Sequence, residues 1–241
     1  MTENQQVRNG LSWQDDVPVS AQFQDPYFST ENGLEETRHT YLRGNGLPDR
    51  LVAGFHVGEL GFGTGLNLMA LAAIAHCPIQ MTSFEAFPLT HDDLARATAR
   101  WQDDLGPIRD QLLSAYVPAG GQMQVGNVTL NLVLGEAATT LPTWRDRADA
   151  WFLDGFAPAR NPELWSDTLM HQVASHTAPG GTFATYTCAG AVRRALKSGG
   201  FTVRKIPGYG RKREMSVGWF ETEPNQTAST RVAFPQPKET E

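Results

Sequence analysis

The sequence predicts an α/β domain: a mostly parallel, seven-stranded sheet covered by helices, a C-terminal antiparallel hairpin, and a polar N-terminal extension. Three observations predict it. From residue 51 onward, short apolar β-rich runs alternate with stretches of helical periodicity. A glycine-rich stretch, Glu59-Leu60-Gly61-Phe62-Gly63-Thr64-Gly65, sits where the first of these strands gives way to the first helix. The last two apolar runs are joined only by "PGYGRKR", too short for a crossover helix, so they pair antiparallel.

The elements follow in order. Residues 1–50 are polar, with turn signals at Asp25-Pro26, Asn32-Gly33 and Gly44-Asn45-Gly46, and read as an extension packing on the main domain. "LVAGFHVGEL" is a strand and "TGLNLMALAAIAH" a helix; "IQMTSFEAF" and "LTHDDLARATARW" repeat the pair. After a long connection, "VTLNLVLGEA" and "DAWFLDGFAP" are short strands, each ending in an acid. "ELWSDTLMHQVASHT" has helical spacing, stopped by Pro179-Gly180-Gly181. "TFATYT", "AGAVRRALKSGG", "FTVRKI" and "EMSVGWF" complete the domain at about residue 220. The polar, proline-containing tail, 221–241, reads as flexible.

The totals narrow the function classes. No run of 18 apolar residues predicts a membrane span, and the N-terminus lacks an apolar signal-peptide core. Cys77 and Cys188 stand far apart, and the six histidines show no metal-ligand spacing, so the chain reads as cytoplasmic and without a metal. A net charge of −6 argues against a protein that coats nucleic acid indiscriminately. No additional apolar helix calls for a dimer.

The glycine loop, G-x-G-x-G, is tighter than the dinucleotide G-x-G-x-x-G, and Leu66 stands after Gly65. Glycines there let a ligand approach the backbone, and the N–H groups of the helix start face it. Glu59 at the head of the loop suits a cationic ligand better than a pyrophosphate. S-adenosylmethionine, with an ammonium and a sulfonium, fits that requirement. Glu59, Gly61, Gly63, Thr64, Gly65 and Asn67 are the candidates from this stretch. Glu85 ends the next strand, where a carboxylate accepts ribose hydroxyls. Glu136 ends the following one, beside the expected adenine position. Three acids at the carboxyl ends of strands point to one cofactor cleft.

Asp154 follows the apolar run of "DAWFLDGFAPARNPELW" and precedes Gly155-Phe156-Ala157-Pro158. An amine attacking a sulfonium methyl needs a free lone pair aimed in line. A carboxylate beside the donor holds it and accepts a proton. "WFLDGFAPARNPELW", "PGGTFATYTCAGAVRRALKSGGF" and "GYGRKREM" resemble the methyltransferase domain of the MnmC family, bifunctional enzymes of tRNA 5-methylaminomethyl-2-thiouridine biosynthesis. "YFSTENGLEETRHTYLRGNGLP" matches the same family, and the resemblance spans about residues 10–220.

The resemblance implies a Rossmann-like, S-adenosylmethionine-dependent fold. It also implies N-methylation of a 5-aminomethyl group on a tRNA wobble uridine. It places Glu59, Gly61, Gly63, Gly65, Glu85, Glu136 and Asp154 around the cofactor, with Asp154 also facing the substrate amine. It makes Tyr27, Asn32, Gly33, Glu35, Glu36 and Arg38 part of a segment folding over the cleft. The 241 residues leave no room for the family's FAD-dependent oxidoreductase domain, so the aminomethyl substrate is expected from upstream tRNA-modifying enzymes.

Between residues 190 and 215 lie eight of the chain's 20 Lys and Arg residues: Arg193, Arg194, Lys197, Arg204, Lys205, Arg211, Lys212 and Arg213. Such a cluster suits phosphate contacts with tRNA. Phe156, Trp165 or Tyr209 is expected to stack on a flipped-out base. Two other readings of the same fold are a small-molecule amine methyltransferase or aminopropyltransferase-like enzyme, and a catalytically silent RNA-binding module. The basic hairpin weighs against the first. The intact acid–glycine loop with Asp154 weighs against the second.

Overall fold

A computed structural model describes residues 10–221. Residues 1–9, and all of the expected flexible tail except Glu221, lie outside the described residues.

The N-terminal extension opens with a small antiparallel sheet of β1 (Leu11–Gln14), β2 (Val17–Ser20) and β3 (Asp25–Pro26). Helix α1 (Gly33–Thr37) follows, capped by the Asn32 side chain on the Glu35 N–H. It runs into a π-helical turn (Arg38–Leu42) and a short 3-10 turn (Arg43–Asn45). Leu11, Val17, Phe28, Leu34, Tyr41, Leu42 and Leu47 bury themselves in the same hydrophobic cluster as the central strands and α2. The extension therefore completes the domain core.

The main sheet begins with β4 (His56–Leu60), buried at every position as a central strand requires. It is followed by α2 (Leu66–Ile74), β5 (Ile79–Glu85), α3 (His91–Thr98), α4 (Gln102–Ala115), β6 (Gly121–Val125) and β7 (Val128–Leu134). The second half comprises α5 (Ala137–Thr140), β8 (Ala148–Leu153), α6 (Asp167–Ser175), β9 (Thr177–Thr185), α7 (Gly190–Ser198), β10 (Phe201–Pro207) and β11 (Glu214–Phe220). The order across the sheet is β10-β11-β9-β8-β4-β5-β7-β6. Strands β9, β8, β4, β5 and β7 are parallel neighbours, and β11 lies antiparallel between β9 and β10.

In α2, Leu68, Met69 and Leu71 are fully buried, each side chain contributing roughly 1.5–3 kcal/mol. Gly58 in β4 has its own packing reason: a Cβ there would lie 2.6 Å from the Trp151 ring of β8. Trp151 is fully buried, and its indole N–H donates to Thr177 Oγ1 at 3.0 Å.

Four expectations are corrected. The sheet has eight strands, not seven, because β6 pairs antiparallel with β7 as an added edge. The stretch expected as a long connection also holds α4, which a non-helical Leu105 (φ −133°) breaks just before Gly106-Pro107. The first expected strand begins only at His56; Leu51–Phe55 is a turn passing through Gly54 at φ +84°. Finally, Pro179-Gly180-Gly181 lies inside β9, and the register shift against β8 between Ala148 and Ala150 absorbs it.

Candidate active site

The carboxyl ends of β4, β5, β7 and β8 open into one cavity of about 460 Å³, roofed by residues 22–41 of the extension. Gly61, Gly63 and Gly65 all hold positive φ, at 84°, 55° and 69°. Each has a different neighbour that forbids a side chain. A Cβ on Gly61 would sit 3.2 Å from the Asp154 carbonyl, and one on Gly63 3.3 Å from the Tyr27 ring. One on Gly65 would press the Phe62 ring at 2.9 Å. Gly61 and Gly63 line the cavity with Thr64; Gly65 is turned into the core as the residue that starts α2.

Glu59, expected to face a cationic ligand, lies one layer behind the cavity wall, with no exposed surface. Its carboxylate accepts from Asn67 Nδ2 at 2.9 Å and from Ser83 Oγ at 2.5 Å. Burial outweighs these bonds and pushes its carboxyl up to about 8. Asn67 is the pivot. Its amide nitrogen also donates to Asp154 Oδ2 at 2.9 Å, and its Oδ1 accepts from Thr37 Oγ1 of the extension at 3.1 Å.

Asp154, at the end of β8, lines the cavity. Its Oδ1 accepts from the Gly155 N–H at 2.8 Å, and its carboxyl also bonds the fully buried Tyr41 hydroxyl. Burial raises its pKa; Tyr41, Asn67, the Gly155 N–H and the positive charge of Lys212 oppose the rise. Glu85 lines the cavity and accepts from the N–H groups of Gly63 and Phe87, at 2.8 and 2.7 Å. It thereby ties the glycine loop to the end of β5. Burial raises its pKa against those backbone bonds. Glu136, exposed on the cavity wall just past the end of β7 and next to the end of β5, is the N-cap residue of α5.

Tyr27, Phe156 and Tyr209 line the cavity. Phe156 stacks on Phe23 at 4.8 Å and meets the edge of Tyr27 at 5.0 Å. Trp165 is buried and donates to the Phe156 carbonyl at 2.9 Å, so it supports that ring from behind. Glu35 and Arg38 pair with each other at 2.6 Å, off the cavity.

The basic segment is partly spent on internal partners. Arg211 pairs with Glu31 at 2.7 Å and Lys212 with Glu36 at 2.6 Å, both across the cavity mouth; Lys205 pairs with Glu214. Arg193 donates to the Cys188 carbonyl, and Arg213 is exposed; neither lines the cavity. Tyr41 and Tyr186, which lie on the wall, were missed because their sequence context reads only as turn and strand. The Tyr186 hydroxyl donates to the Gly155 carbonyl at 2.8 Å.

A glycine loop without side chains, two carboxylates on adjacent strand ends and a third carboxylate at the end of β8 fit a nucleoside with a cationic amino-acid arm. The volume suits a cofactor with part of a second substrate. The model of S-adenosyl-L-methionine-dependent methyltransferases matches residues 105–221, from α4 to the end of β11. The chain carries an S-adenosyl-L-methionine-dependent methyltransferase domain.

Over nearly all its length the chain is similar to proteins called tRNA 5-methylaminomethyl-2-thiouridine biosynthesis bifunctional protein MnmC. It is 47% identical to that of Chromobacterium violaceum, over 89% of this chain and 35% of the relative. It is 46% identical to that of Ectopseudomonas mendocina, over 93% and 37%. It is 41% identical to that of Pseudomonas aeruginosa, over 94% and 37%. The chain thus spans about a third of the length of the relatives it matches. In fold it resembles the crystal structure of MNMC2 from Aquifex aeolicus, with TM-score 0.66 and 19% identity over 90% of this chain and 72% of that one. Among the described residues, no group of His, Cys, Asp or Glu is placed to hold a metal, and no helix is long and apolar enough to cross a membrane.

Proposed function

We propose that this methyltransferase domain transfers a methyl group to the 5-aminomethyl nitrogen of a (2-thio)uridine at the tRNA wobble position, giving the 5-methylaminomethyl form. The observation that carries the reading is Asp154. Its carboxylate lies on the wall of the same cavity as the glycine loop, fixed by Asn67, Tyr41 and the Gly155 N–H. The names of the relatives support the choice of substrate. We take the protein to work in the cytoplasm on tRNA whose aminomethyl group an upstream reaction has installed.

When bound, S-adenosylmethionine supplies an electrophilic methyl on a sulfonium. Gly61 and Gly63 let it approach the loop backbone, and Glu85 and Glu136 flank the nucleoside half. In its ionised form, Asp154 would take one proton from the substrate ammonium and turn the freed nitrogen lone pair toward the donor methyl, whose bonding pair stays on the departing sulfur; the methylated product leaves as a secondary ammonium. Asn67 and Tyr41 leave that carboxylate little rotational freedom. The aromatic wall of Phe23, Tyr27 and Phe156 is suited to stack on an unstacked base.

The test is transfer of labelled methyl to tRNA from cells that lack this modification, followed by nucleoside analysis. Label is expected in the wobble nucleoside, and Asp154→Asn should cut turnover by about 10²-fold or more, the usual scale for a positioned base. No label in that nucleoside overturns the assignment; an unchanged rate in the variant removes Asp154 from its role.

A further inference from the structure

Lys212 sits in the turn between β10 and β11, yet its side chain reaches the cavity. Its ammonium lies 2.6 Å from Glu36 Oε1 and 4.1 Å from the centre of the Tyr186 ring. The Glu36 side chain is only 12% exposed, against 43% for Lys212. The acid is therefore the fixed, mostly desolvated half of the pair. Tyr186 is fixed too, since its hydroxyl is bonded to the Gly155 carbonyl, next to Asp154. An acid beside a ring face forms a cage for one ammonium group.

The terminal group of Lys212 is a CH₂–NH₃⁺, chemically the same as the aminomethyl ammonium of the proposed substrate. We propose that Glu36 and Tyr186 form the recognition site for that substrate ammonium, and that Lys212 holds the place in the free protein. This rests on the aminomethyl reading above. Lys212 is the more exposed partner, and a phosphate group offers it an alternative anion when RNA docks. Glu36 is half-buried on the cavity wall, so when the lysine departs its charge faces the cavity and another ammonium can take the place. The exchange couples RNA docking to a vacancy for the amine next to Asp154. It also selects: an amine already carrying an N-linked carboxylate would meet both Glu36 and Asp154 as like charges.

Two measurements test the cage. The first compares Glu36→Gln with the unaltered protein on an anticodon stem-loop with and without the aminomethyl group. KM for the aminomethyl RNA should rise about tenfold or more, as expected for loss of a desolvated charge partner. Affinity for the unmodified RNA and for S-adenosylmethionine should change by less than about twofold, on the scale of a rim charge. An unchanged KM, or equal weakening toward both RNAs, overturns the proposal and leaves Glu36 as an anchor of the extension.

The second measurement does not need turnover. Ethylammonium chloride is titrated at constant ionic strength and followed by NMR. Lys212→Ala should bind it about fivefold or more tightly than the unaltered protein, and the Glu36→Gln/Lys212→Ala double variant should lose that gain. No tighter binding by Lys212→Ala overturns the cage even if methyl transfer to tRNA is never seen. Methyl transfer failing while ethylammonium behaves as expected overturns the assigned substrate alone.

Discussion

Because burial pushes the Glu59 carboxyl up to about 8, the folded chain holds a proton there that the unfolded chain gives up near 4.5. Between those two values the folded state binds more protons than the unfolded one, so stability falls as pH rises from about 5 to about 8. Glu85 and Asp154, also raised by burial, act in the same direction. Glu59→Gln mimics the protonated acid: its amide donates to Ser83 while its carbonyl keeps the Asn67 bond. Urea midpoints measured across this range should decline less steeply in the variant, which should be the more stable protein at pH 8. The same slope in both would clear Glu59 of the effect. The sequence marked Glu59 as important through its place before three glycines, but not its depth. Depth comes from Ser83 and Asn67, one strand and one helical turn away, which no local pattern pairs with it.

At the level of elements, the tightest constraint is between β4 and β8. Gly58→Ala sets a methyl 2.6–2.9 Å from three Trp151 ring atoms, and that ring is locked by Thr177. The expected loss is about 1–3 kcal/mol, the usual range for overpacking, read as a lower urea midpoint at unchanged slope. Stability equal to the parent protein would mean the sheet yields there. Strands with strong β-branched or aromatic runs, such as β5, β8 and β11, were legible because each is bounded by turn residues. Helix α4 and β6 were not. Gly106-Pro107 reads as a breaker although it merely restarts the helix after Leu105, and β6 is a polar edge with only Met123 and Val125 buried. The site segments of β4, β5, β7 and β8 were readable from their terminal acids. The roles of Tyr41 and Thr37 were not, since both depend on how the extension folds back.

For the whole molecule, the extension is part of the core as well as of the cavity wall. Seven of its apolar side chains enter the central cluster, which at roughly 1.5–3 kcal/mol each rivals the entire stability of about 5–15 kcal/mol typical of a domain. A chain starting at residue 51 should therefore show no cooperative thermal transition and weak near-ultraviolet circular dichroism. A cooperative transition with retained S-adenosylmethionine binding would show that residues 51–220 stand alone. The charge layout is also global. An acidic protein with net charge −6 places eight of its 20 Lys and Arg residues between 190 and 215, and Glu31 and Glu36 from the N-terminal extension answer two of them.

The pair of Glu36 and Lys212 joins positions 176 residues apart. During synthesis the acid leaves the ribosome early and must wait, solvated, until nearly the whole described chain has been made. Asp154 likewise bonds Tyr41 and Asn67, both translated long before it. A nascent chain can assemble α2 and its neighbours as they appear, but the part of the cavity lined by Tyr209, Arg211 and Lys212 is completed only after β10 has been added. Translation products that end with β10 would thus lack Arg211 and Lys212 at the cavity wall.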